Sequence, residues 1–305
     1  MTPNGQLAVK RPADVPLDSL VRLVRSYEEQ ITGVSTCTRD DVLRETGLPG
    51  YEENSWCLTG PGDEVLAWAA LTPRGDTIDA SLTALPGRHG ESAARTLLCL
   101  VLDRADELAA ERGAPYRLSV GRVLRGDVAV PTVLVEAGFV RGASSGQYDI
   151  DLRQPVLPPL LPDDGTLRQA GPDDIETLHA LHLRSMTKGP KTVDATAFGT
   201  ALRRLWADDG VTLLLEIAGR PAGHVLAHAS DGEGRILSVA VAPAFRGLGI
   251  GLALLTSALA ELGARGAERA LVTLDSGDLN DDEALGRVLS VQGARVLTRF
   301  HRSDA

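Results

Sequence analysis

Aromatic residues are scarce in this chain, with four Phe, four Tyr and three Trp among 305 residues. The aliphatic majority of its 43% hydrophobic content still suffices for a sizeable core. A basic excess is missing too. The net charge of −10 argues against a general nucleic-acid or anionic-membrane binder, since both need a basic field. The three cysteines, Cys37, Cys57 and Cys99, are odd in number and lack metal spacing. They read as ordinary thiols in a reducing compartment. No apolar run approaches the roughly 18 residues of a membrane span. The opening "MTPNGQLAVKRPADV" has no apolar signal-peptide region. A soluble cytoplasmic protein with no membrane or nucleic-acid partner is expected.

What is present divides the chain. "RQPVLPPLLPDDG", Arg153 to Gly165, holds four prolines at mid-chain, and such runs act as semi-rigid spacers. The expected organisation is a domain over 1–153, a linker over 154–165 and a domain over 166–305. The two halves look alike. Each opens with a short strand and a helix, continues with a polar-tipped hairpin ("SWCLTGPGDEVLAWAAL", "VTLLLEIAGRPAGHVLAHA") and a third strand, then has a loop, a long helix and another strand. The order is βαββαβ twice, the mark of a duplication. Ile250, Leu254, Leu255, Ala258, Leu259 and Leu262 recur at helical spacing, and Gly263 is the expected stop.

The richest stretch is "VAPAFRGLGIGLALL", Val241 to Leu255. A strand-like run ends at Pro243, and glycines at 247, 249 and 251 lead into a helix. The first turn of a helix has unsatisfied N–H groups and partial positive charge. Glycines let an anion approach that backbone, and Arg246 adds charge, so the stretch is built as a pyrophosphate cradle. It is not a Walker A loop, because Leu252 stands where a lysine is needed. It is not a Rossmann G-x-G-x-x-G either, because Ala253 and Leu254 follow Gly251. The pattern R-x-x-G-x-G, at Arg246, Gly249 and Gly251, after a strand and before a helix, resembles the acyl-CoA loop of the GNAT acyltransferase superfamily. The βαββαβ order agrees, and the duplication resembles the tandem members of that family.

The resemblance implies an α/β (α+β) chain of two GNAT domains, each a mixed, mostly antiparallel sheet flanked by helices. It implies that the strand Ile236 to Val241 splays from its neighbour and holds phosphopantetheine, with N–H groups near Val239 and Val241 as donors, one of them stabilising the oxyanion. The donor pyrophosphate would lie on the N–H groups of Gly247, Leu248, Gly249, Ile250 and Gly251, and Asn280 would touch pantetheine. The donor would be acyl-CoA or an acyl carrier protein. A small-molecule amine would attack the thioester directly, in a biosynthetic tailoring role. Two other readings compete, namely a non-catalytic acyl-CoA-binding or scaffold protein, and aminoacyl transfer from charged tRNA.

The first half departs from the pattern. Aligning Arg88 with Arg246 sets Glu91 against Gly249, and a carboxylate there would repel the pyrophosphate. A fold that is kept and a donor site that is lost is expected. The second half has departures of its own. No tyrosine follows Tyr148, and Leu289 occupies the place where many family members carry a tyrosine acid. Ser290, one residue on, is the candidate acid and His228 the candidate base. His224, four residues before His228, is a candidate partner or acceptor contact. His179 and His182 lack a third ligand, so no metal is expected. Lys188 and Lys191 belong to the region from which acceptor pockets are built. The second half ends on one strand, "RVLTRFHR", where the first has "FVRG" and "QYDIDL". Its sheet is then to be completed by another element, for instance one from the first half.

Overall fold

The structure, a computed structural model, describes residues 7–74, 77–87, 89–157, 159–185, 194–230, 232–275 and 289–302. The first half runs β1 (Ala8–Lys10), α1 (Leu17–Thr32), α2 (Arg39–Thr46), β2 (Ser55–Thr59), β3 (Val65–Arg74), β4 (Thr77–Ala84), α3 (Gly90–Arg112), β5 (Arg117–Leu124), α4 (Ala129–Glu136) and β6 (Phe139–Asp151). The second runs β7 (Gly165–Gln169), α5 (Ile175–Ser185), α6 (Ala195–Ala207), β8 (Val211–Ile217), β9 (Arg220–Ser230), β10 (Glu233–Val241), α7 (Ile250–Ala264), β11 (Arg269–Asp275) and β12 (Val291–Arg302). The repeated order follows the sequence reading except that three strands, not two, lie between the helices, giving βαβββαβ in each half, with one more helix after the first in each and with α4 and β6 following in the first half. These extra helices, α2 and α6, are short and marked by their caps. The Thr38 hydroxyl takes the Asp41 N–H and the Asp194 carboxylate takes the Ala197 N–H.

The chain forms two compact units, Met1–Gly146 with Arg295–Ala305, and Gln147–Ala294. In unit 1 the strand order is β1-β2-β3-β4-β5-β12-β6, with β4 and β5 parallel. In unit 2 it is β6-β11-β10-β9-β8-β7, with β10 and β11 parallel. In each unit the other described pairings are antiparallel. Apolar residues of β4, at Ile78, Ala80, Leu82 and Ala84, pack with Ala94, Leu97, Leu98 and Val101 of α3. In unit 2 the same layer joins Val225, Ala227 and Ile236 to Ile250, Leu254, Leu255 and Ala258 of α7. The opposite face of that sheet carries Leu214 and Leu226 under Leu178 and Leu181 of α5 and Phe198 and Leu202 of α6.

The division falls at Gly146/Gln147, inside β6, and not at the proline-rich stretch. Tyr148 and Ile150 of β6 pack in the core of unit 2, and the Leu152 N–H meets the Glu268 carbonyl at 2.9 Å. The chain also returns to unit 1 at its last strand. Phe300, 1% exposed, joins the unit 1 core. Arg295 and Glu28 form a buried ion pair at 2.5 Å. So a first-half segment supplies an outer strand of unit 2, as the shortage of strands after Gly293 suggested, and the second-half strand closes unit 1. Gly263 is not the stop of α7. The helix runs to Ala264, and Gly266, at φ +88°, makes the left-handed turn beyond it. No helix of the described residues is long and apolar enough to cross a membrane.

Candidate functional site

Among the described residues, β10 and β11 pair only across Glu233–Arg235 and Arg269–Leu271. Beyond Arg235 the two strands part, while β10 stays paired to β9 as far as Val241. A bulge between Ile236 and Ser238 marks the point of parting, since Leu237 has no partner on β9. The paired end is clamped by charge. The Glu233 carboxylate takes Arg235 at 2.6 Å and Arg269 at 2.9 Å. On the open side, successive backbone groups alternate in direction. The Ala242 N–H meets the Ala222 carbonyl on β9 at 2.9 Å. Ala240 therefore also faces β9, and the N–H groups of Val239 and Val241 face the gap. Their side chains pack on α7.

The gap leads to the glycine loop. After a short turn at Pro243–Phe245, Gly247 and Gly249 have φ of +77° and +75°, and Gly249 caps α7. That left-handed backbone is costly for any residue with a Cβ, which explains these two glycines. No described side chain caps α7, and no acidic residue sits in its first turn. Its leading amides are uncapped, as at an anion-binding helix start, with Leu248 58% exposed beside them. Arg246 is exposed at the start of the loop. Its guanidinium donates to the Ser185 carbonyl at 2.8 Å, tying the end of α5 to the loop.

The histidines separate. His228 is half-buried and pairs with Arg235, where β10 leaves β11. His224 pairs with Ala240, further towards the loop. Four residues along a strand span about 13 Å, so His224 is not a hydrogen-bond partner of His228. Instead His224 is fully buried, and neither ring nitrogen has a partner among the described residues. Its ring centroid is 6.2 Å from that of His182, whose buried Nδ1 is also unpartnered. Burial, then the neighbouring His182, pushes the His224 pKa down to about 4. Burial, then His179, lowers that of His182. Both His179 and His182 pack on Phe198 at 5.3 Å. Ser290 is exposed, and its carbonyl takes the Asp151 N–H at 2.9 Å. Leu289 is buried in the core of unit 2. Asn280, Lys188 and Lys191 lie outside the described residues. Val239 and Val241 thus lie on the strand that leads into residues 246–251, and His228 pairs with Arg235 at the end of β10 where it still meets β11. The clamp at Glu233 was missed, because nothing in the sequence marks a carboxylate that ties two strands.

The model of the Acetyltransferase (GNAT) family matches residues 176–283. A mycothiol acetyltransferase from Thermobispora bispora is 29% identical over 228 residues, covering 71% of this chain and 73% of that protein. A GCN5-related N-acetyltransferase from Sphaerobacter thermophilus has the same fold, with a TM-score of 0.77 at 21% identity, over 100% of this chain and 98% of that one. A tandem GNAT protein from the clavulanic acid biosynthesis pathway aligns over 99% of this chain and 100% of its own, with a TM-score of 0.63 at 14% identity. Residues 176–283 thus carry the pattern of the GNAT acetyltransferase family, and the whole chain has the fold of these GNAT structures.

Proposed function

We propose that unit 2 carries out the transfer, from a phosphopantetheine thioester to an amine of a small molecule in a biosynthetic tailoring step. Acyl transfer from acyl-CoA to an amine is the family's chemistry. The observation that carries the assignment to unit 2 is the gap of β10 running into the uncapped start of α7. Pantetheine lies along the free edge of β10, and the pyrophosphate lies on the amides of Gly247, Leu248, Gly249, Ile250 and Gly251. The acceptor nitrogen attacks the thioester carbon. The carbonyl oxygen gathers negative charge, and the N–H of Val239 or Val241 stabilises it. The C–S bond then breaks and the thiolate leaves. His228 takes the proton that the amine sheds, and Ser290 or solvent returns one to the thiolate. A carrier protein would present the same arm without the nucleotide. The name of the Thermobispora relative supports a small-molecule acceptor.

Calorimetric titration with acetyl-CoA and CoA tests the reading. One-site binding that is lost in Gly249→Glu upholds a CoA donor on unit 2. A folded protein that binds neither, yet is acylated or turned over by an acyl carrier protein, moves the donor to the carrier. Binding that survives Gly249→Glu overturns the loop assignment.

A further inference from the structure

A second opening lies on the other side of β10. Arg184, at the end of α5, and Arg220, at the start of β9, line a cavity of about 430 Å³ with Pro221, Pro243 and Phe245. Its wall at Ala242–Phe245 borders β9, whereas the donor gap faces β11. Unit 2 spends Arg168, Arg235, Arg265 and Arg269 on carboxylates. Among the described residues, Arg184 and Arg220 meet none. In a chain of net charge −10, two unspent guanidinium groups beside one cavity ask for an anion. Arg220 is held in place, its guanidinium 5.7 Å from the Phe245 ring centroid. The remaining walls are flat and apolar, being two prolines, a phenylalanine, two alanines and Gly219. The volume falls in the range of small-ligand sites, roughly 300–1,000 Å³.

We propose that this cavity is an anion site, separate from the glycine cradle, that takes a phosphorylated aromatic group of the nucleoside-phosphate class. The guanidinium groups meet the phosphate oxygens, a match their planar fork suits. The base or ring lies against Pro221, Pro243 and Phe245. A simple carboxylate or phosphate uses the arginines and leaves the flat walls bare. The group comes either from a free nucleotide or from the nucleotide end of CoA. Only the second source rests on the donor reading given above. The position couples the two openings in either case. Phe245 precedes Arg246 in the chain, and Arg246 holds Ser185, the neighbour of Arg184.

The test is calorimetric titration of the full chain with adenosine 3′,5′-bisphosphate. Three proteins are compared, namely the natural chain, the double variant Arg184→Ala/Arg220→Ala, and Gly249→Glu. Both arginines are exposed, so the double variant is expected to keep its fold and its circular dichroism spectrum. The expected result is binding to the natural chain, weakened about 10-fold or more in the double variant; in Gly249→Glu it weakens by less than about 3-fold for a free nucleotide, and by more if the occupant is the nucleotide end of CoA, whose 5′-phosphate belongs to the pyrophosphate on the cradle. Competition between acetyl-CoA and the bisphosphate then identifies the donor's own nucleotide as the occupant, and simultaneous binding identifies a free nucleotide. Absence of binding to the natural chain, or equal affinity in the double variant, overturns the proposal. A chain that binds the bisphosphate but never CoA removes the donor reading and leaves this one standing.

Discussion

Units 1 and 2 build the same strand, loop and helix and finish them differently. In unit 1, β4 stays paired with β5 over five residues, Thr77–Ser81. In unit 2, β10 stays paired with β11 over three, Glu233–Arg235. The hairpin partner of β4 runs alongside it without a register shift, whereas β10 carries the bulge at Leu237. The starts of the helices differ as well. By position in the helix, Glu91 is the second residue of α3, as Gly251 is of α7. The carboxylate therefore faces the place of Gly251, two residues from where motif alignment puts it, and still sits in the first turn. Gly90 brings α3 close to the end of β4, since a Cβ there would fall 2.7 Å from the Leu85 carbonyl oxygen. On the proposed reading, a donor cleft in this fold is made by omission of strand pairing and of acidic charge at an uncapped helix start. Unit 1 has restored at least the pairing and the charge.

The largest effect expected from this contrast is on donor binding. Gly249→Glu places a carboxylate and a Cβ where φ is +75°. CoA affinity should fall at least about 1,000-fold, counting repulsion and loss of the cradle together. Only roughly 1–2 kcal/mol of backbone strain falls on the fold. The reciprocal change is the sharper test. Glu91→Gly removes the offending charge from unit 1, but the longer pairing with β5 remains. Calorimetry on Gly249→Glu/Glu91→Gly should show no CoA binding, and recovery of a site would mean that charge alone separates the units.

Catalysis comes next. His228→Ala should lower kcat roughly 100-fold or more while the donor Kd stays put, as removal of a positioned base does. Ser290→Ala should change kcat by no more than about threefold, because a thiolate leaves readily without a dedicated acid. A large Ser290 effect with a silent His228 would exchange their roles.

Acid should weaken unit 2 through His224. Folding holds this group neutral, with its pKa pushed down to about 4 against an ordinary value of 6.5. The folded state binds fewer protons than the unfolded one in that window, so stability is full above pH 6.5 and is lost as pH falls towards 4. The shift is worth about 3 kcal/mol at most. Hydrogen exchange of α5 and β9 between pH 7.5 and 4.5 reads it. His224→Leu should flatten the pH dependence, and an unchanged slope would place the acid lability elsewhere.

How far the sequence carried this site depends on what kind of feature marks it. The loop was legible because a left-handed backbone at Gly247 and Gly249 can be met cheaply only by glycine, so geometry leaves a mark in composition. The gap was not. Residues 236–241 show the same apolar pattern whether or not a parallel neighbour pairs with them, and the bulge turns on a single extra residue. His224 was legible as a histidine on a strand. Its isolation comes from burial beside His182, which belongs to a helix some 40 residues earlier in the chain. The fold of each half followed from periodicity, but the boundary did not, because β6 is one unbroken strand shared by two cores.

The smallest expected effect separates two glycines of similar position and different purpose. Gly90 serves packing, because its added Cβ would strike the Leu85 backbone, which cannot swing aside. Gly90→Ala should therefore cost about 1–3 kcal/mol, as overpacking does. Gly251 has no such neighbour. Its added Cβ would meet only Val241 Cγ2 at 3.7 Å, an ordinary contact, and its φ is not positive. Gly251→Ala should leave stability unchanged or raise it by roughly 0.5–1 kcal/mol, since alanine suits a helix better than glycine. Its cost should fall on CoA affinity instead, because the methyl group stands where the pyrophosphate approaches. Exchange of α3 and α7 amides, measured beside CoA titration, reads both variants. If Gly251→Ala destabilises α7 and spares CoA binding, the glycine is there for packing in both units, and the contrast between them rests on the strand gap alone.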